Sequence, residues 1–358
     1  MRKFRQPGGA HNAVPERVVF GPGSLAEIAA EVAHLGARRP LILTTPGRAA
    51  LGERVLDLVG SGVLLPEAVS QVPIELARQA RSRAIEVDAD CLVAVGGGAA
   101  TGLGKGIALE HPLPIIDIPT TYSGSEMTAF CGITIDGVKR MHASRNMLAS
   151  TVVYDPELTL TLPDHVTASS AMNALAHCVD AIYQPTLSPV IAHSAVEGAK
   201  VVMGALPAVL AAPADLTARA ELLYGAFLSG AALAGGFTLQ HAIAHTLGGS
   251  FGIEHGVAHS LVLPHTTRHL QALVPAAIER LADAVGTDDL AATIEKVIAG
   301  AGLPRSLREV GLAEEDLERA VEITMSAEPD PEAEVPVDAA TVRTILKAAW
   351  DAGEGDRR

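Results

Sequence analysis

The chain has 358 residues, 48% apolar and 19% charged, a composition that excludes a disordered polymer and suits about two domains at ~150 residues each. A net charge of −14 at pH 7 argues against a nucleic-acid partner, which calls for a basic footprint. Cys91, Cys131 and Cys178 form no CxxC pair, no signal-like apolar region opens the chain and no apolar run reaches about 18 residues, so the expected setting is a reducing cytoplasm without a membrane span.

Short apolar runs alternate with helical patterns through the first half. ERVVFGPG predicts a strand and turn, and LAEIAAEVAHLG a helix stopped at Gly36. PLILTT (40–45) predicts a buried strand, with a helix from near Gly47 and another over 73–87. CLVAVGGG (91–98) and LPIIDIPTT (113–121) predict two more strands. Strands alternating with helices imply a parallel sheet covered on both faces. After TVVYDPELT (151–159) helical spacing takes over, through 165–184, 188–206, 214–234, 257–285 and 288–300. The expected organisation is an α/β dinucleotide-binding domain over 1–160 and an all-helical domain over 161–358. The acidic, proline-rich 326–340 is expected to be a loop before a last helix at about 338–351.

Two loops in the first half suit a dinucleotide. VAVGGGAATGLGKGIAL (93–109) is strand, glycines, then helix, and a helix N-terminus offers free N–H groups to a phosphate. Lys105 could add a charge. A ligand-free βα turn explains the glycines equally well, and no GxGxxG or Walker motif is present. IPTTYSGSEMT (118–128) follows the next strand with five hydroxyl side chains before Glu126, and two such loops on adjacent strands strengthen the dinucleotide reading.

Six of the 13 histidines fall between 241 and 269. HAIAH sets His241 and His245 four apart on one helix face, and HGVAH does the same for His255 and His259. AMNALAHCVDAIY sets Asn173 and His177 at that spacing on another helix. Groups on two or three helices are how a bundle builds a metal or proton-transfer site. His193, His265 and His269 are expected to be structural, and His259 stands between the two readings.

Together GGG…K after a strand, PTTYSGSE, NALAH and HAIAHTLGGSFGIEHGVAHSLVLPH resemble the iron-containing alcohol dehydrogenase superfamily, from about Val18 to Arg268. The resemblance implies the dehydroquinate synthase-like fold, an NAD(P)-binding α/β domain followed by a catalytic helical domain, and commonly a homodimer. Within the superfamily the chain is most similar to maleylacetate reductases. PTTYSGSEMT is one residue shorter than the dehydrogenase loop, TGLGK replaces a pattern with Asp, and Asn173 stands where metal-dependent members carry an aspartate ligand.

The resemblance places His177, His241 and His255 on the family's metal-ligand histidines and His245 on its active-site histidine. Gly96, Gly97, Gly98 and Lys105 fall on the pyrophosphate loop, Thr120, Thr121 and Ser125 on the second cofactor loop, and Thr44, Thr45 and Pro46 at the adenosine ribose. No acidic residue stands at that last strand end, which admits NADPH beside NADH. A divalent iron or zinc on Asn173, His177, His241 and His255 is admitted but not expected to be required. The implied reaction is NAD(P)H-dependent reduction of the conjugated C=C of maleylacetate, an unsaturated oxo-dicarboxylate, to 3-oxoadipate in aromatic catabolism. His245 would deliver the proton, and Arg140, Arg145 and Arg268 are available for the carboxylates. The chain departs from the reductases at Ala99, at Ala242 and Gly256 (HAIAH and HGV for HKxCH and HAE), over 140–150 and over 326–338. HGV and the missing lysine favour the alternative, an alcohol dehydrogenase or carbonyl reductase acting in biosynthesis.

Overall fold

A computed structural model describes residues 15–184, 187–326 and 335–353. They form two compact units: one holds the described residues up to Pro163 with Ala212–Leu223, and the other holds Asp164–Ala211 and Tyr224 onward.

The first unit is built on a parallel sheet of β1 (Arg17–Phe20), β2 (Pro40–Leu43), β3 (Val63–Leu65), β4 (Cys91–Gly96), β5 (Ile115–Pro119) and, after a separate hairpin of β6 (Phe130–Ile135) and β7 (Val138–Ala143), β8 (Thr151–Tyr154). The strand order is β1-β8-β5-β4-β2-β3. Its helices are α1 (Ile28–His34), α2 (Ala49–Val59), α3 (Ile74–Glu86) and α4 (Gly98–Ala108). β2, β4, β5 and β8 are buried along their whole length, and this is why they read as unbroken apolar runs. Ile42, Val93, Val95, Ile116, Ile118 and Val153 pack there with Leu25, Ile28, Val32 and Val55.

From β2 the chain runs outward to β3, then crosses back to β4 and continues to β5 on the other side. The order therefore reverses between β2 and β4, and ligands of such sheets bind beyond the carboxyl ends of the strands at that reversal. The hairpin turns on Asp136 and Gly137, both with positive φ (51° and 75°), the backbone of a two-residue turn that Asp-Gly favours. Sequence periodicity found neither this hairpin nor the three-residue β3.

The second unit is helical: α5 (Asp164–Ala181), α6 (Pro189–Ala211), the later part of α7 (Leu216–Leu233), α8 (Leu239–Phe251), α9 (His255–Leu273), α10 (Pro275–Val285), α11 (Leu290–Gly300), α12 (Asp316–Ser326) and α13 (Ala339–Asp351). The fold class expected from the sequence is borne out. The helix expected over 257–285 is two, parted at Val274, because the residue before a proline is driven out of helical conformation (φ −128°, ψ 53°). The loop expected over 326–340 lies largely outside the described residues.

α5 is buried without a break from Thr167 to Ala181, so it shows no polar stripe and forms the centre of this unit. α9 lies against it at Gly256, where a Cβ would meet the Ser169 carbonyl carbon and oxygen at 2.8 Å. α6 is long and apolar enough by composition to cross a bilayer, a property shared by core helices, and half of its most apolar window is buried in the protein.

Candidate active site

In the α/β unit, β2 ends at Leu43 and hands over to Thr44, Thr45 and Pro46, while its neighbour β4 ends at Gly96. Thr44, Thr45 and Pro46 therefore lie on one side of the strand-order reversal, and Gly96, Gly97 and Gly98 on the other. Gly97 precedes α4 without any side-chain cap, so the first N–H groups of that helix remain available to an anion. A Cβ on Gly97 would strike Thr121 Cγ2 at 2.9 Å, whereas one on Gly98 would meet open space. The backbone N–H of Thr120 donates to Gly96 O at 2.9 Å, which holds the glycine-rich and hydroxyl-rich loops side by side. The hydroxyls of Thr44 and Thr121 are buried with no hydrogen-bond partner among the described residues. A bare helix N-terminus beside two such hydroxyls fits a dinucleotide.

Lys105 is placed differently from the sequence expectation. Its buried ammonium donates to Ser125 O at 2.5 Å, Thr128 Oγ1 at 2.9 Å and Phe130 O at 3.0 Å. All three hydrogens are thereby used, so Lys105 staples α4 to the second loop and has none left for a phosphate. Two carboxyls that the sequence reading passed over lie near it. Burial raises Asp117 on β5 to about 7, against the pull of Lys105. Burial also raises Glu126, which accepts the Tyr154 hydroxyl at 2.7 Å. An acid inside the run IIDIP was the available signal for Asp117.

In the helical unit, α5 carries Asn173 and His177, α8 carries His241 and His245, and α9 carries His255 and His259. The five histidines form one cluster. Ring centroids are 5.1 Å apart for His177 and His241, 5.6 Å for His241 and His245, 5.6 Å for His245 and His255, 4.5 Å for His241 and His259, and 4.6 Å for His255 and His259. His177, His241 and His259 are buried, whereas His245 and His255 are partly exposed. Burial pushes His177 and His259 well below the ordinary imidazole range, so both are neutral near pH 7. Glu254 accepts the N–H groups of Gly256 and Val257 at 3.0 and 3.2 Å, capping α9 and setting His255 in its first turn.

Asp180, on α5 and wholly buried, organises His241. It accepts the His241 Nδ1–H at 2.7 Å and the Tyr183 hydroxyl at 2.7 Å, together with the backbone N–H groups of Thr238, Gln240 and His241 at 3.2, 3.4 and 3.1 Å. Its carboxylate thus caps the N-terminus of α8 and leaves the His241 lone pair on Nε2. Sequence reasoning missed Asp180, although an Asp three residues beyond His177 on the same helix was the signal. Of the arginines expected for substrate carboxylates, Arg268 pairs with Glu295 at 2.8 Å, Arg140 lies on β7 and Arg145 follows that strand.

His177 Nδ1 and His241 Nε2 are buried without a hydrogen-bond partner among the described residues. Ligand nitrogens of His245, His255 and His259 lie within 4.8 Å of one another. Imidazoles backed by one buried carboxylate suit iron or zinc rather than magnesium or calcium, so His177, His241 and His255 fit such an ion.

Residues 15–156 match the family model for iron-containing alcohol dehydrogenase, and residues 167–350 match the C-terminal model of the Fe-containing alcohol dehydrogenase family. The chain belongs to the iron-containing alcohol dehydrogenase family. Among its relatives in this family, the maleylacetate reductase of Burkholderia cepacia is 43% identical over 94% of this chain and 96% of its own. The maleylacetate reductase of Pseudomonas sp. strain P51 is 38% identical over 95% and 97%. The crystal structure of maleylacetate reductase from Agrobacterium tumefaciens superimposes with a TM-score of 0.88 at 37% identity, covering 96% of this chain and 98% of that one. A putative alcohol dehydrogenase from Ralstonia eutropha JMP134 gives a TM-score of 0.91 at 44% identity, covering 97% and 99%. Both the family resemblance and the likeness to maleylacetate reductases within it are borne out.

Proposed function

We propose that this chain is a maleylacetate reductase, an NAD(P)H-dependent oxidoreductase that converts maleylacetate to 3-oxoadipate. The observation that carries the reading is identity of 43% to such a reductase along nearly the full length of both chains. The histidine cluster supplies the matching chemistry. A small-molecule substrate, a homodimer and a cytoplasmic setting belong to the same reading.

A dihydronicotinamide held there would supply hydride to the alkene carbon β to the ketone. The α4 N-terminus and Gly97–Gly98 would hold the pyrophosphate, and Thr44, Thr45, Pro46, Thr120, Thr121 and Ser125 would line the remainder of the cofactor. With no acid at the end of β2, both NADPH and NADH are accepted. Hydride addition places negative charge on the ketone oxygen as an enolate, and fixed N–H donors aimed at that oxygen stabilise it. His245, partly exposed, delivers a proton to the neighbouring carbon. His241 presents its Nε2 lone pair, with Asp180 holding the Nδ1–H. A divalent iron or zinc held by His177, His241 and His255 with Asn173 would supply Lewis-acid polarisation of the same oxygen. The amide of Asn173 adds no negative charge to that set, and the reading does not require the ion.

The HGV departure also has a packing explanation that involves no substrate: a Cβ at Gly256 would press on the Ser169 backbone at 2.8 Å. The deciding experiment follows NADH and NADPH oxidation with maleylacetate, with and without chelator, on protein of assayed metal content. Turnover that survives chelation is expected. Absent turnover with intact nicotinamide binding would exclude maleylacetate and redirect the search to alcohols and carbonyls with added zinc or iron.

A further inference from the structure

His259 is wholly buried on α9. Its Nδ1 lies 3.2 Å from Gln240 Nε2, and its backbone carbonyl oxygen lies 3.1 Å from the same nitrogen. A carbonyl oxygen only accepts, so the Gln240 amide turns its NH2 toward His259, with one hydrogen for each contact. The amide oxygen faces Thr266, whose hydroxyl donates to it at 2.5 Å. A ring nitrogen that faces an N–H donor must hold a lone pair, so the imidazole hydrogen of His259 resides on Nε2. That Nε2 is buried with no hydrogen-bond partner among the described residues. His241 is the reverse case, because Asp180 takes its Nδ1–H and leaves the lone pair on Nε2. Two rings 4.5 Å apart thus present opposite polarities at Nε2.

We propose that Gln240 is a positioning residue that fixes His259 as the Nε2–H tautomer, making His259 a hydrogen-bond donor to the substrate oxygen rather than a metal ligand. Naming that oxygen as the enolate oxygen rests on the reductase reading above; the tautomer does not. Metal-ligating histidines give their second N–H to an acceptor, which orients the free lone pair toward the ion. To ligate through Nε2, His259 would have to move its hydrogen to Nδ1, where it meets the Gln240 NH2. Of the three histidines near enough to share an ion, this one has its lone pair held away.

The test uses the full-length, metal-stripped chain labelled with 15N-histidine, with the His259 signals assigned by their loss in His259→Asn. An unprotonated Nδ1 and a protonated Nε2 are expected for His259, unchanged on addition of Zn2+. Gln240→Glu places an acceptor at Nδ1. It should move the hydrogen there, free the Nε2 lone pair and raise Zn2+ affinity about 10-fold or more in chelator competition. If that variant does not fold, Gln240→Met, which removes the directing NH2, should lower the Nε2–H fraction in the same spectrum. A protonated Nδ1 in the wild type, a Zn2+-induced shift of its His259 Nε2, or a tautomer indifferent to both Gln240 substitutions would overturn the proposal. His259→Asn keeps an N–H donor and should retain most of the turnover that His259→Leu loses; equal turnover in the two variants would remove the donor role. The spectra and the Zn2+ competition need no substrate, so failure of the reductase reading appears separately, as absent NADH oxidation in the wild type.

Discussion

Asp180 Oδ2 accepts the Nδ1–H of His241 at 2.7 Å, and the same carboxylate caps the helix on which His241 stands. One buried group on α5 therefore decides both where α8 begins and which nitrogen of His241 faces the histidine cluster.

Asp180→Asn keeps the shape but loses the charge and offers an N–H where only acceptors served. Turnover should fall about 10- to 100-fold, the usual cost of disturbing the partner that orients a functional histidine. The weakened cap should also lower stability by about 1–2 kcal/mol. Steady-state kinetics and thermal melts check both, and unchanged kcat would remove Asp180 from the site.

His245→Ala removes the proposed proton donor. A loss of kcat of about 100-fold or more is expected, with NADH affinity nearly intact, because the cofactor loops belong to the α/β unit. Fluorescence titration of NADH alongside single-turnover reduction separates the two effects. Wild-type turnover would exclude His245 from the chemistry.

Gly256→Ala would press a methyl group to 2.8 Å from the Ser169 backbone, which cannot swing aside as a side chain can. A loss of about 1–3 kcal/mol is expected, as for other overpacked positions. His255, the preceding residue, would shift with the start of α9 and reduce turnover. A melt that equals the wild type would show that α9 relaxes there freely.

Asp117 carries a pH signature. Burial pushes its carboxyl up to about 7, well above the ordinary carboxylate range, so folding favours its protonated form. That stabilisation is complete below the unfolded value and is lost as pH rises through the folded one. Asp117→Asn mimics the protonated state, so its stability relative to wild type should improve by roughly 2 kcal/mol between pH 5 and pH 8. Denaturant melts at the two pH values test this, and a difference independent of pH would mean that Asp117 is ionised in the fold throughout.

Much of the architecture was legible because it rests on local patterns. Buried parallel strands appear as apolar runs, and βα turns appear as glycines. The β6–β7 hairpin escaped although Asp136-Gly137 marks its turn, because its strands are half exposed and lack a strong apolar run. The helical unit hid more. α5 is buried on all sides, so periodicity shows that it is a helix but not which face bears function.

Sequence alone determined the residue types that carry chemistry and their spacing: histidines four apart on two helices, and glycines and hydroxyls after successive strands. These are properties of the chain within a few residues, which local geometry converts directly into a shared face or a turn. Only the tertiary structure decided what those groups can do. Lys105 became a staple because three oxygens from another segment surround it. His241 and His259, alike in sequence, acquired opposite tautomers because one meets a carboxylate from α5 and the other an amide from α8. A proton's position depends on partners brought within about 3 Å by packing, and that distance exists only after the helices have come together.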